Sequence, residues 1–536
     1  MKRFLFTVWC LFAAATLAAK VTTFDNFEYK GRPLLLPDVQ KYQAGEGAFA
    51  IPAKFTVAFP KGEDIVLEQL ADELKRFPGV TASAAEGSDA VCRFVLTEKD
   101  VPEHKEGYTL RIDDKGVTVS ARTTAGLFYG AQTLRGMIRN VARAEFPKCF
   151  ITDWPDLDMR SFTFNISHMP SSKMPLLKRT LDILAGLKIN TLFIGISSAF
   201  PYKNNPLTLR KNAFTEAEMR DLADFCRRRH FELIPMMQIF SHSAWMMNHP
   251  DWPKMREDRA KPRSYSHSSQ WCPLNEQAWQ IAEELVAQQI AFFKPRYFYP
   301  VFDEICLCPF HECEDCVKQD PRKLLSDTLR RVEGMIVRHG ATPLYCHDNF
   351  FSRSIWPYGD WYRTQLKPGT IIRYWKYDDQ IPEEQLNALK DFKLLGNAVW
   401  GKPFNVYNLA HAIKRHNGIG CGMVYFYFSG NAGFFANYLH ETPDSLGGIV
   451  NSAGYLWKLD DTLPYDLTYD GTLDMMRRLD PERSRCRRAE NARRRCRSKR
   501  SPTPSYRHRR ASRTSRVTAT SPSSKRRWRR SPSASA

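Results

Sequence analysis

A chain of 536 residues, 43% of them hydrophobic, is long enough for more than one packed domain, which excludes a small module held together by metal or disulfides alone. The formal net charge is +20, but residues 481–536 hold 20 Lys and Arg against two acids, so 18 of those charges sit there and the preceding 480 residues carry only +2. A nearly neutral body excludes a fold organised around nucleic acid.

In chain order, Lys2 and Arg3 precede an apolar run over residues 4–17 and small residues at Ala18 and Ala19. Residues 1–19 therefore read as a secretory signal peptide, and the mature chain is expected outside the cytoplasm, periplasmic or extracellular. No later stretch reaches the roughly 18 apolar residues of a membrane span. Residues 20–150 predict an α+β domain: strand 55–59, helix 64–77, strand 90–97, hairpin 108–121 turning at 113–116, and helix 123–141. This domain brings no acid–base set of its own.

Residues 151–460 alternate strand and helix, the pattern of a (β/α)8 barrel. Its strands are expected at 161–167, 190–196, 231–237, 297–302, 343–346, 370–375, 394–400 and 422–428. The intervening helices include 173–187, one opened by the capping box of Thr215 and Glu218, then 276–293, 322–339, 382–392 and 407–416. Residues 461–480 form a barrel-end segment. Residues 481–536, rich in Arg, Ser and Pro, cannot build a core and read as a disordered tail. Its abrupt onset after Asp480 fits either an out-of-frame extension or a polyanion-binding tail.

The fourth strand ends in Asp303-Glu304, an adjacent carboxylate pair that is costly to place there unless it is used. Groups at strand ends converge on the barrel mouth. The same mouth receives His347-Asp348, residues 376–379 and Ser241-His242. Trp245, Trp271, Trp356, Trp361, Trp375, Trp400, Tyr425 and Tyr427 add flat aromatic faces. A polar mouth walled by rings suits a sugar, whose C–H faces stack while its hydroxyls hydrogen-bond.

Several stretches together resemble glycoside hydrolase family 20, the β-N-acetylhexosaminidases. Residues 106–137, EGYTLRIDDKGVTVSARTTAGLFYGAQTLRGM, are similar to the hairpin and helix that close that family's N-terminal domain. Asp153-Trp154-Pro155, Met159-Arg160-Ser161, Ile234-Pro235 with His242-Ser243, and Asp303-Glu304 follow in the family's order. The resemblance implies a substrate-assisted retaining mechanism acting on terminal β-linked N-acetylhexosamine of a glycan. It makes Glu304 the general acid and base and Asp303 the partner of the 2-acetamido group. Arg160 is implied as a ligand of ring hydroxyls, His242 as the loop-three histidine and Trp375 as an acetamido wall. Trp400, Tyr427, His347 and Asp348 are further candidates for contact with the sugar. The family chemistry needs no cofactor and no catalytic metal.

Four departures from the family pattern concern the sugar cradle. Val301 and Phe302 replace two glycines, the second strand lacks its terminal aspartate, no tyrosine follows strand seven, and strand eight gives Tyr425 to Ser429 in place of Trp and Glu. Two other readings therefore stay open: a glycosidase of the same fold with another sugar, and a carbohydrate-binding protein without turnover.

Cys306, Cys308, Cys313 and Cys316 are spaced C-x-C-x4-C-x2-C directly behind the acid. They fit a structural zinc, two disulfides or free thiols. Cys92, Cys149 and Cys226 read as isolated buried thiols. The sequence fixes no oligomeric state.

Overall fold

A computed structural model describes residues 28–460, apart from residues 30, 88, 204–212, 248–269, 306–313, 353–356, 378–379, 400–402, 417 and 425–442. The expected signal peptide, Trp400, Tyr427, Cys306, Cys308, Cys313, the barrel-end segment and the tail lie outside the described residues. The chain divides into two units at Pro481.

The N-terminal domain is a seven-stranded mixed sheet backed by the helices Ile65–Leu74 and Thr124–Asn140. The hairpin Tyr108–Asp113 and Gly116–Ala121 pairs as its alternation predicts, with Asp113 opposite Gly116 at the turn. Gly116 turns at φ +110°, where an added Cβ would lie 2.3 Å from the Val91 carbonyl oxygen. Three further strands of this sheet were not expected: Lys41–Ala50 and Glu145–Asp153, which pair antiparallel, and Thr81–Ala84. Lys41–Ala50 is an exposed edge strand, so it lacks the buried alternate positions that make a strand legible.

The barrel strands are Met159–Asn165, Thr191–Gly195, Glu232–Met236, Tyr297–Phe298, Thr342–Cys346, Ile371–Lys376, Lys393–Val399 and Gly420–Val424. All the barrel pairings are parallel, in the order 3-2-1-8-7-6-5-4. A parallel bridge between Met236 and Tyr299 closes the ring. The Thr215 and Glu218 capping box is formed, and it opens the helix Glu216–Arg227.

Two strand boundaries differ from expectation in ways that move the site. The first strand begins two residues earlier, because Met159 pairs with Gly420 and Ser161 with Gly422. That register needs glycine, since a Cβ at Gly422 would lie 1.8 Å from Ser161 Oγ. The fourth strand was expected to run to Phe302 and is two residues long. Pro300 has no N–H to donate, and Val301 turns into the left-handed region at φ +45°. Residues 299–302 nevertheless stay buried, and the Pro300 carbonyl accepts the Ile239 N–H at 2.9 Å.

The two domains are joined by buried charge. Arg135 reaches Asp182 at 2.7 Å and Glu73 at 3.1 Å, and Arg229 reaches Asp182 at 2.8 Å. Burial alone would raise the Asp182 carboxyl, but Arg135 and Arg229 outweigh it and hold the group well below the usual carboxylate range.

Candidate active site

Asp303 and Glu304 emerge where the shortened fourth strand meets the barrel mouth. Their backbone is held by the next strand's end. Asn349 donates from Nδ2 to the Phe302 carbonyl at 2.7 Å and accepts the Ile305 N–H at 3.2 Å. Between them, Asp348 Oδ2 accepts the Glu304 N–H at 2.7 Å. This bracket supplies partners for peptide groups that the broken strand leaves without a ladder. Glu304 itself sits at φ +49° and His242 at +50°, two non-glycine residues in the left-handed region, a form of strain that concentrates at functional sites.

His242 ties the side chains together. Its Nε2 lies 3.0 Å from Glu304 Oε2 and 3.5 Å from Asp303 Oδ1. Burial by itself would lower the imidazole, but Asp303, Glu304 and Asp348 outweigh it and push the group up to about 9. At neutral pH His242 is therefore an imidazolium ion facing carboxylates. Asp303 is buried, and that burial, with Asp348 and Glu304 adding to it and His242 opposing, pushes its carboxyl up to about 7. The Glu304 side chain keeps 25% of its surface exposed and is the more open of the pair.

Trp375 forms one wall. Its indole Nε1 donates to Asp348 Oδ1 at 3.2 Å, and its backbone N–H donates to His347 Nδ1 at 3.3 Å. The His347 ring lies against Tyr374, with centroids 4.2 Å apart, and against Trp375 at 5.3 Å. His347 thus supports the wall, while Asp348 links the wall to the acid's backbone. Tyr377, two residues beyond Trp375, stands edge-on to it at 5.3 Å. Burial and the carboxylates of Glu304, Asp303 and Asp348 push its phenol up to about 12. Tyr377 belongs to residues 376–379, which the sequence placed at the mouth, and its spacing of two puts it on the same face as Trp375. Farther down strand six, Arg373 lies 4.0 Å over the Phe193 ring and 4.5 Å over Tyr299, and donates to Thr163 and Asn397.

Arg160 does not join this group. It lies near the N-terminal start of the first strand, at the opposite end of the barrel from the mouth, and is 0% exposed. Its guanidinium pairs with Glu106 at 2.6 Å, donates to the carbonyls of Lys188 and Leu157 at 2.8 Å each, and lies 4.8 Å over the Trp457 ring. The expected role on ring hydroxyls is corrected to a fastener between the domains, because the register with Gly420–Val424 carries Arg160 to the barrel floor. Replacing it with Met should cost about 3–5 kcal/mol of unfolding free energy, since Glu106 would be left buried without its cation. Urea unfolding checks this, and the KM of the folded fraction should stay put.

Two other expectations are refined. Trp271 is core, edge-on to Phe240 and Trp279 at 5.9 and 5.2 Å, and does not wall the mouth. Cys316 lies 3.5 Å from Cys272, a cysteine outside the C-x-C-x4-C-x2-C run. Cys92, Cys149 and Cys226 are buried free thiols. Among the described residues no helix is long and apolar enough to cross a membrane.

Both domains match models of one known family. Residues 32–154 match the model of glycosyl hydrolase family 20, domain 2, and residues 171–394 match the family's catalytic domain. The second match contains Asp303, Glu304, His242, Asp348 and Trp375. A beta-hexosaminidase of Porphyromonas gingivalis is 22% identical over 381 residues, 63% of this chain and 49% of that protein. A lacto-N-biosidase of Bifidobacterium bifidum is 21% identical over 405 residues, 72% of this chain and 35% of that protein. The chain thus spans half or less of these curated relatives.

Among solved structures, a Flavobacterium johnsoniae chitobiase superposes with TM-score 0.63 at 16% identity, covering 83% of this chain and 72% of that one. A β-N-acetylhexosaminidase of Bacteroides fragilis gives 0.62 at 15%, covering 84% and 96%. At such identity the likeness establishes the fold, and the two matched domains together establish the lineage: the chain belongs to glycosyl hydrolase family 20.

Proposed function

We propose that the chain is an exported glycoside hydrolase that removes terminal β-linked N-acetylhexosamine from glycans, with the substrate's own acetamido group as nucleophile. The observation that carries this reading is the pairing of a buried aspartate with a more open glutamate on consecutive residues, bridged by one histidine at the barrel mouth. The hexosaminidase relatives support the sugar.

In this mechanism the Glu304 carboxyl gives its proton to the glycosidic oxygen as the C1–O bond breaks. The acetamide carbonyl oxygen bonds to C1, forming an oxazolinium ion whose positive charge the Asp303 carboxylate faces. Water then attacks C1, Glu304 takes its proton, and the ring opens to give the β-anomer. His242, as imidazolium, holds the Glu304 carboxyl group in line in either protonation state, and Trp375 walls the acetamido methyl.

Proton NMR of the first-formed sugar tests this directly. The β-anomer should appear before mutarotation; the α-anomer appearing first would rule out the mechanism.

The pH dependence follows from the site's charges. In kcat/KM, Asp303 must be ionised while Glu304 and His242 are protonated, so the acid limb should follow the cluster's apparent value near about 7 and the alkaline limb should lie no higher than about 9. His242→Asn removes the cation that lowers Asp303, so the acid limb should move to higher pH, while an alkaline limb remains because Glu304 must still carry the proton it donates. Asp348→Asn removes a carboxylate that raises both groups, so both limbs should move to lower pH. The two variants shifting the acid limb in the same direction would contradict the arrangement.

A further inference from the structure

Among the described residues four arginines are buried, and three of them meet a carboxylate: Arg135 meets Glu73 and Asp182, Arg160 meets Glu106, and Arg229 meets Asp182. Arg373 is the fourth. It is 1% exposed inside the barrel, and its described partners are the rings of Phe193 and Tyr299, the Thr163 hydroxyl and the Asn397 amide oxygen. Its Nε has no hydrogen-bond partner. We propose that Arg373 is a positioning residue for the reaction, the buried counter-charge that holds Asp303 as a carboxylate from the inner side of the barrel. The inference rests on the reading of Asp303 as the ionised partner of the acetamido group.

Cost is the first argument. A guanidinium taken out of water without a carboxylate beside it is expensive, and the interior around Arg373 is apolar, with Phe193, Ile234, Met236, Leu344, Leu395 and Val424. Register is the second. Arg373 stands two residues before Trp375 on the same face of its strand, and its partner in register on the fifth strand is Cys346, two residues before Asp348. Tyr299, four residues before Asp303, lies under the guanidinium at 4.5 Å, and its hydroxyl meets Cys346 Sγ at 2.6 Å. Arg373, Cys346 and Tyr299 thus form the layer directly beneath the one that holds Trp375, Asp348 and Asp303.

Nothing in that layer cancels the charge. Burial pushes the Tyr299 phenol and the Cys346 thiol well above their ordinary ranges, and Asp303 adds to both, so the two groups stay neutral. Burial lowers the guanidinium, with Tyr299, Cys346 and Asp303 opposing, and an arginine so placed is still a cation. The titratable groups around Asp303 are then His242 from the third loop, Glu304 and Tyr299 from its own segment, Cys346 and Asp348 from the fifth strand, and Arg373 and Tyr377 from the sixth. Thr163, Phe193 and Asn397, from strands one, two and seven, carry no charge. Of the two cations, His242 titrates and is shared with Glu304, whereas Arg373 keeps its charge at every working pH.

The test titrates the Asp303 carboxyl by carbon NMR of aspartate-labelled full-length chain, assigned with Asp303→Asn, beside Arg373→Gln and Arg373→Lys. Gln retains groups that can meet Thr163 and Asn397 but has no charge. Its Asp303 midpoint should rise, and kcat/KM on the acid limb should fall by about three- to tenfold with the plateau kept. Lys should hold the midpoint closer to that of the intact chain. An unmoved midpoint in folded Arg373→Gln, or one displaced as far by Lys as by Gln, overturns the proposal. Should Arg373→Gln fail to fold, the Arg373 Nε–H signal of the intact chain should shift with the Asp303 midpoint and stand still in Asp303→Asn; a signal that ignores Asp303 overturns it. The midpoints need no substrate. A raised midpoint in a chain that leaves aryl β-N-acetylglucosaminide intact upholds the charge pairing and removes the functional reading, and an unmoved one in a chain that hydrolyses it does the reverse.

Discussion

Replacing Glu304 with Gln should lower kcat/KM for an aryl β-N-acetylglucosaminide by about 10²–10⁴, the range over which a positioned general acid and base contributes. Gln keeps the shape and can still meet His242, but it has no proton to give to the leaving oxygen. The loss should therefore be steepest for poor leaving groups and mild for activated aryl groups, where departure needs little help. Folding should be unaffected, because the bracket that positions this residue reaches its backbone from Asp348 and Asn349 and does not involve the carboxyl. Steady-state kinetics over a series of aryl leaving groups, with melting curves alongside, checks both halves. Equal losses across the series would mean that Glu304 is not the acid.

Replacing Asp303 with Asn should cost about 10²–10³ in kcat/KM, the scale of removing one preorganised electrostatic partner of a transition state. Asn can still accept the acetamide N–H, so binding should suffer less than turnover, and the loss should fall mainly on kcat. A second signature comes with it. Asp303 is the largest influence raising His242, so removing its charge should bring the imidazole down from about 9 toward its ordinary value. His242 also gives the fold stability that is full below about 6.5 and lost as pH rises through about 9, and this window should narrow in the variant. NMR titration of the imidazole measures the shift. An unmoved His242 would mean that Asp303 and His242 do not sense one another.

The barrel was legible because buried parallel strands and amphipathic helices alternate in composition, and because Asp303-Glu304 interrupts an apolar run. Arg160 was misread although its position was on display. It stands at the N-terminal start of the first strand, the end of the barrel opposite the mouth, and the family likeness was followed against that position. Asn349 was missed because its role is defined by the backbone of another strand's end, at Phe302 and Ile305. Val301, where the family pattern places glycine, shows the reverse case: the departure was visible in the sequence, and the structure keeps the left-handed turn with a β-branched residue in it. The pairing of Cys316 with Cys272 was equally hidden, since nothing in the spacing of the run points 44 residues back along the chain.

The most direct measurement compares kcat/KM of the intact chain for an aryl β-N-acetylglucosaminide and for the matching aryl β-glucoside, which differ only at C2. A substrate-assisted site predicts a preference of at least about 10³, because the glucoside has no carbonyl oxygen to attack C1 and that contribution is worth several kcal/mol of barrier. Comparable rates on the two sugars would contradict the account, since Asp303 would then have no acetamido group to serve.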